Sequence, residues 1–113
     1  MELEAALSDK ISYKILYRGT MKATFVHKDG RFPLSSLALT EIVFEIDSQF
    51  IFLEKENLEG KLELADGKSL EFEGKVVSVF NDLVTVALKE ELDQETMHKE
   101  QVFLNSKKQL HTA

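Results

Sequence analysis

The sequence predicts a mainly β fold: a small six-stranded antiparallel β-barrel with a C-terminal helix and a second helix at the N-terminus. Three observations lead there. From Lys22 to Leu88 apolar and polar residues alternate with period two, broken by the turn pairs Asp29-Gly30, Asp66-Gly67 and Asn81-Asp82. Near both ends the apolar spacing changes to that of a helix. The strands also carry so many aliphatic and aromatic residues that both faces of an open sheet could not be wet, and closure removes the exposed edges as well.

At the N-terminus, Leu3, Leu7 and Ile11 recur at four-residue spacing, which predicts a helix over the first dozen residues. An irregular or extended link follows to Gly19. Lys22, Thr24 and Val26 interleave with Ala23, Phe25 and His27 as the first strand, and Asp29-Gly30 is the expected hairpin turn. Phe32 to Leu39 returns, with Pro33 near its start, where a missing amide donor costs least. The third strand begins near Glu41 with Ile42, Phe44 and Ile46 on one face, and the apolar run Phe50 to Leu53 follows a bend at Ser48-Gln49. Leu62 and Leu64, then Leu70 and Phe72, flank Asp66-Gly67. Lys75 to Phe80 is apolar on both faces and is expected to be the most buried strand. Val84, Val86 and Leu88 form the last one. Asp93 then caps a helix of about 12 residues, with Glu95 in its first turn and Met97, Gln101 and Leu104 as its inner stripe, widened by Val102 and Phe103. The chain thus divides into an arm (1–17), the barrel with its C-terminal helix (18–104) and a polar tail (105–113).

One domain is the natural size for 113 residues. The absence of cysteine removes disulfides, thiolate catalysis and cysteine-based zinc sites, in keeping with a cytoplasmic protein. No apolar segment approaches transmembrane length, and the acidic start Met1-Glu2-Leu3-Glu4 is unlike a signal peptide, so membrane insertion is not expected. The formal net charge of −6 argues against binding duplex DNA. That charge is unevenly placed. Lys10, Lys14, Arg18, Lys22, Lys28 and Arg31 face only Asp29 in the N-terminal part, whereas ten acids between Glu41 and Gly74 face Lys55, Lys61 and Lys68. Each run reads as a solvated strand face, or the basic arm meets an anion or acidic partner.

Catalysis is not expected. His27, His98 and His111 fall in a turn, a helix and a tail, which predicts three surface histidines rather than a metal site. Glu71 and Glu73 share an exposed strand face, and Glu90-Glu91 precede the helix, with nothing to raise a carboxyl pKa in a cleft. Ser35-Ser36 reads as a strand edge or turn rather than a nucleophile. No nucleotide-loop, nucleophile-elbow or zinc-protease pattern occurs, and no cofactor is expected.

The run Gly60 to Leu104 resembles the PilZ domain, a six-stranded barrel with a C-terminal helix found in bacterial cyclic-di-GMP signalling. Leu70, Phe72, Gly74, Val76, Val77 and Val79 carry most of the similarity, which spans roughly residues 18 to 104. The resemblance implies a ligand stretch before the first strand, of the form Arg-x-x-x-Arg, and a second one in the next hairpin, of the form Asp/Asn-x-Ser-x-x-Gly. Arg18-Gly19-Thr20-Met21-Lys22 stands at the first, with Lys22 replacing an arginine. Lysine is a point charge and cannot reproduce the planar, forked contact of a guanidinium. Ala38-Leu39-Thr40-Glu41-Ile42-Val43 stands at the second. Thr40 can replace serine, but Ala38 lacks the carboxylate and Val43 is not glycine.

The resemblance therefore implies one of two roles. In one, Arg18, Lys22 and Thr40, with Lys14 or Arg31, hold a cyclic dinucleotide weakly. In the other, the ligand is lost and the barrel is a protein-interaction adaptor in cyclic-di-GMP-related motility, biofilm or surface behaviour, acting on a protein partner or on itself. Two motif departures against one retained arginine favour the adaptor; the run Phe50 to Leu53 either adds to this, as apolar surface beyond what one barrel interior can bury, or simply fills the barrel and sits under the terminal helix. A third class, a single-stranded nucleic-acid-binding barrel, would use Phe25, His27, Lys28 and Arg31; Phe44, Phe50, Phe52 and Phe72 lie among acids that would repel a phosphate backbone.

Overall fold

The computed structural model describes residues 14–17, 23–28, 30–47 and 51–112, of which 107–112 are described by backbone alone. Among these residues seven strands and one helix follow one another: β1 Lys14–Leu16, β2 Thr24–His27, β3 Gly30–Ala38, β4 Glu41–Glu45, β5 Asn57–Glu63, β6 Ser69–Phe80, β7 Leu83–Leu88 and α1 Gln94–Thr112. The pairing order β1-β3-β2-β5-β6-β7-β4, with β4 returning to β3, closes six antiparallel strands into a barrel. The predicted fold class therefore holds, with one strand added. β1 pairs with Ser36 to Ala38 of β3, while β2 pairs with Gly30 to Pro33 of that strand. β1 and β2 thus lie end to end, and β1 fills a length of β3 that four-residue β2 cannot cover. The N-terminal helix expected over the first dozen residues lies outside the described residues.

Two bulges explain where simple alternation fails. Between Leu34↔Phe44 and Ser36↔Val43 the register of β3 against β4 slips by one residue. A bulge of this kind reverses the phase of the strand, so Phe32 and Leu34 point inward before it and Leu37 and Leu39 after it, all four buried. Ser35-Ser36 is that bulge, inside a strand rather than at an edge or turn. A second slip between Val76↔Val86 and Ser78↔Thr85 leaves Val77 as the extra residue of β6. This corrects the expectation that β6 is the most buried strand. Val76 is fully buried, but Val77 is 50% and Phe80 69% exposed.

The turns differ from expectation in a way that matters later. Leu64 N donates to Lys68 O and Gly67 N donates to Leu64 O, so the β5–β6 loop has three residues, Ala65, Asp66 and Gly67. Gly67 alone takes positive φ, at 98°. This is a type I turn closed by a left-handed glycine, not the two-residue turn expected of Asp-Gly. In the first hairpin His27 pairs with Gly30, so Gly30 already belongs to β3 and the turn moves one residue earlier, with Lys28 at φ 53°. Asn81-Asp82 turns as predicted between Phe80 and Leu83, with Asn81 at φ 55°, a conformation asparagine tolerates better than most residues.

The interior is aromatic at its centre. Phe25 lies 4.7 Å from Phe44, 5.0 Å from Phe72 and 5.9 Å from Phe32 between ring centroids, edge and tilted arrangements each worth about 0.5–1.5 kcal/mol beyond burial. Gly60 faces Phe72 across the β5–β6 ladder. A Cβ there would lie 2.8 Å from Phe25 Cε1 and closer still to the Val26 carbonyl. Glycine at this position admits the ring that fills the barrel.

The barrel's two ends are closed differently. At one, the first half of α1 covers the barrel, with Met97 of the helix and Leu39 and Leu64 of the barrel all buried, and Leu92 N donates to Leu39 O at 2.8 Å as the chain enters the helix. At the other, Phe52 enters between Phe44 (5.3 Å), Phe32 (5.6 Å) and His27 (6.1 Å). Helix α1 extends well past the predicted 12 residues and takes in positions 105–112 of the expected polar tail, and its inner face is Thr96, Met97, Glu100 and Leu104 rather than a stripe through Gln101. Val102 is 51% exposed.

Candidate functional site

The sequence-predicted ligand residues are only partly placed. Arg18 and Lys22 lie outside the described residues. Thr40 is exposed in the two-residue connection between β3 and β4. Its carbonyl accepts from Leu88 N, and the carbonyl of buried Leu39 accepts from Leu92 N, both at 2.8 Å. That connection is therefore tied to β7 and to the lead into α1. Lys14 lies beside Ala38 and Arg31 beside Val26, seven residues apart along β3 (38 − 31), a separation of roughly 23 Å. These two do not converge on one ligand. Arg31 is instead ion-paired to Glu63.

The residues proposed to stack nucleic-acid bases are not available for it. Phe25 is fully buried. His27 is half-buried rather than a surface histidine: its ring stacks on Phe25 at 5.6 Å, and its Nδ1 lies 2.9 Å from the Glu59 carbonyl. His98 is exposed. Among the described residues no three His, Asp or Glu side chains converge as metal ligands.

One carboxylate was missed by the sequence reading. Glu100 is fully buried in α1 and accepts three hydrogen bonds. These come from the Tyr17 hydroxyl at 2.7 Å, Ala65 N at 2.8 Å and Asp66 N at 3.0 Å. A type I turn leaves the amides of its two central residues without partners inside the turn, and the three-residue loop aims both at the helix. Burial, reinforced by the Glu100 carboxylate and more weakly by Asp66, pushes the Tyr17 hydroxyl far above its ordinary pKa of 10.0. Next to this clasp, Lys68 Nζ donates to Thr96 Oγ1 at 3.1 Å, and Thr96 Oγ1 donates to Asp93 Oδ2 at 3.3 Å. The cluster fastens helix to barrel, with Tyr17, Thr96 and Glu100 buried at its centre and Lys68 and Asp93 exposed at its edge. The signal was present in the sequence, since Glu100 follows Met97 by three and Thr96 by four and so shares their face.

Two surface features remain. A groove of about 700 Å³ runs over the outer face of β5 and β6, lined by Glu59, Lys61, Glu71, Glu73, Lys89, Glu90 and Glu91. Its charges are exposed and partly self-paired, with Lys89 Nζ 3.9 Å from Glu73. The plugged end of the barrel is different. On either side of buried Phe52, Ile51 is 80% and Leu53 66% exposed. Lys55 N donates to Val76 O, and Val76 N to Glu56 O, which lays this segment against β6 just before Val77. Phe80 and Leu83 face each other across the ladder at the same end, 69% and 39% exposed. Five of the seven exposed large apolar residues among those described (Ile51, Leu53, Val77, Phe80, Leu83) thus gather at one end.

The sequence matches no protein-family model and no curated protein. Solved structures share the fold, among them the following two. An uncharacterized Legionella protein superposes with a TM-score of 0.52 at 11% identity, over 88% of this chain and 98% of that one. The Bacillus subtilis inhibitor of motility, MotI/DgrA, superposes with a TM-score of 0.55 at 16% identity, over 85% of this chain and 53% of that protein. The chain thus spans about half the length of the motility inhibitor. At these identities the likeness concerns the fold alone. No helix among the described residues is long and apolar enough to cross a membrane.

Proposed function

We propose that this chain is a non-catalytic, PilZ-like adaptor of bacterial cyclic-di-GMP-related signalling that acts in the cytoplasm through protein contacts, with dinucleotide binding lost or weakened. The observation that carries it is the plugged end of the barrel. A domain whose interior is filled with aromatic side chains has no folding need to expose Ile51, Leu53, Phe80 and Leu83 together. Lys22 in place of a second arginine, and an Ala38-to-Val43 hairpin without aspartate or glycine, support the loss of ligand. The likeness to a protein named for inhibiting motility supports the signalling context.

The test has two arms. Calorimetric titration with cyclic-di-GMP is run on the chain and on Arg18→Ala, and a photoreactive residue is scanned across the exposed surface for crosslinking in bacterial cells. The adaptor predicts no saturable heat and a discrete crosslinked protein from one face. Saturable micromolar binding abolished by Arg18→Ala, with no crosslinked protein at any position, refutes it in favour of a dinucleotide receptor.

A further inference from the structure

We propose that the plugged end of the barrel docks a cationic amphipathic segment of a partner protein, its apolar side chains on Phe80, Leu83, Leu53 and Ile51 and its lysines or arginines on the surrounding carboxylates. This rests on the adaptor reading and says where the partner binds and what it must look like. The charge around the patch carries it. Glu45 is the cross-strand neighbour of Leu83, Asp82 immediately precedes Leu83 in the turn, and Glu54 follows Leu53, all three exposed. Two exposed bases lie at this end among the described residues, Lys55 after Glu54 and Lys28 after His27 beside Phe52, and neither adjoins Phe80 or Leu83 in sequence or in strand pairing. Apolar anchors inside an acidic border favour a partner with the opposite border.

The same border disfavours the other occupants of an apolar patch. A second copy related by two-fold symmetry would bring like carboxylates together, and an anionic membrane surface would be repelled. The groove over β5 and β6 is also acidic but lacks anchors, so it offers a cation only screened, exposed charges. Among the described residues, anchor and charge coincide only at the plugged end.

The test uses the whole chain, isotope-labelled for amide resonances, and a synthetic peptide alternating leucine and phenylalanine with lysine and arginine. Its control carries glutamate at every basic position. The cationic peptide is expected to shift the amides of Ile51 to Leu53 and Val77 to Leu83. Replacing both anchors (Phe80→Ser with Leu83→Ser), which are exposed and outside the core, is expected to weaken binding by about tenfold or more. Glu45→Lys with Asp82→Lys is expected to weaken the cationic peptide and strengthen the acidic one. The proposal is overturned if neither peptide binds, if shifts map to the β5–β6 groove, or if the anchor variant binds as well as the parent. It is also overturned if concentration-dependent dimers or anionic vesicles occupy this end. A crosslinked protein footprinted on another face would sink this assignment while leaving the adaptor standing; saturable dinucleotide binding with no crosslinked protein at any position would sink both.

Discussion

Replacing Glu100 by alanine should cost more than any surface substitution in this protein, and the size follows from the hydrogen bonds it accepts. The carboxylate satisfies the Tyr17 hydroxyl and the amides of Ala65 and Asp66. A buried donor left without an acceptor costs about 1–3 kcal/mol. The two amides sit in a half-buried turn and regain some water once the side chain is gone, so they count near the lower limit. The buried Tyr17 hydroxyl does not. Removing a desolvated carboxylate also relieves its own burial, which offsets part of the loss, and the balance is about 2–4 kcal/mol. With an unfolding entropy of about 2.1 cal/mol/K per residue, 113 residues give roughly 0.24 kcal/mol/K. The expected fall in Tm is then about 8–17 °C. Urea and thermal melts of Glu100→Ala measure it, and a double-mutant cycle with Tyr17→Phe isolates the hydroxyl's share. A loss within about 0.5 kcal/mol, the range of an ordinary surface change, would refute the view that this carboxylate fastens the helix.

Alkaline pH tests the same contact from its other side. The folded-state pKa of Tyr17 is raised above 10.0, so the native chain keeps a proton that the unfolded chain releases. Its contribution is fully present below pH 10 and declines above it by about 1.4 kcal/mol per pH unit. Tyr17→Phe should flatten that decline in denaturation midpoints measured across alkaline pH. Gly60→Ala should destabilise the barrel by about 1–3 kcal/mol or more, because the added Cβ meets Phe25 and the Val26 carbonyl; a near-neutral melt would show that the barrel can widen there.

Much of the barrel could be read from alternation alone, because one face of each strand is buried and a period of two is then enforced. Ile42 and Phe44, Leu62 and Leu64, Val84 and Val86 all point inward as their spacing predicts. The rest was hidden for physical reasons. A bulge adds one residue without any compositional mark, so Val77 reads as an ordinary strand position and Ser35-Ser36 as a strand edge or turn. Three-residue β1 is too short to show a period. Glu100 was overlooked because a glutamate on a helix is expected in water, and only its three neutral donors make its burial tolerable. The run Phe50 to Leu53 was legible as an excess of apolar surface. Which member plugs the barrel and which face outward was not, since that depends on the aromatic ring of Phe52 meeting His27, Phe32 and Phe44.

The order of pairing around the barrel also sets an order in time. β5, β6 and β7 are neighbours in sequence as well as in space, and short turns let their two hairpins form with little loss of chain freedom. The seam between β4 and β7 joins Glu41 to Ala87 and Glu45 to Leu83, separations of 46 and 38 residues (87 − 41 and 83 − 45). Such contacts reward the chain only after a long loop has been drawn together. The meander is therefore the natural nucleus, and the barrel shuts only when the β4–β7 seam and the comparably distant β2–β5 pairing, which joins Thr24 to Glu63, have both formed. The turn holding Asn81 and Asp82 takes shape early, and Glu45 arrives beside Leu83 only as the barrel closes, so the acidic border of the plugged end exists only once folding is complete.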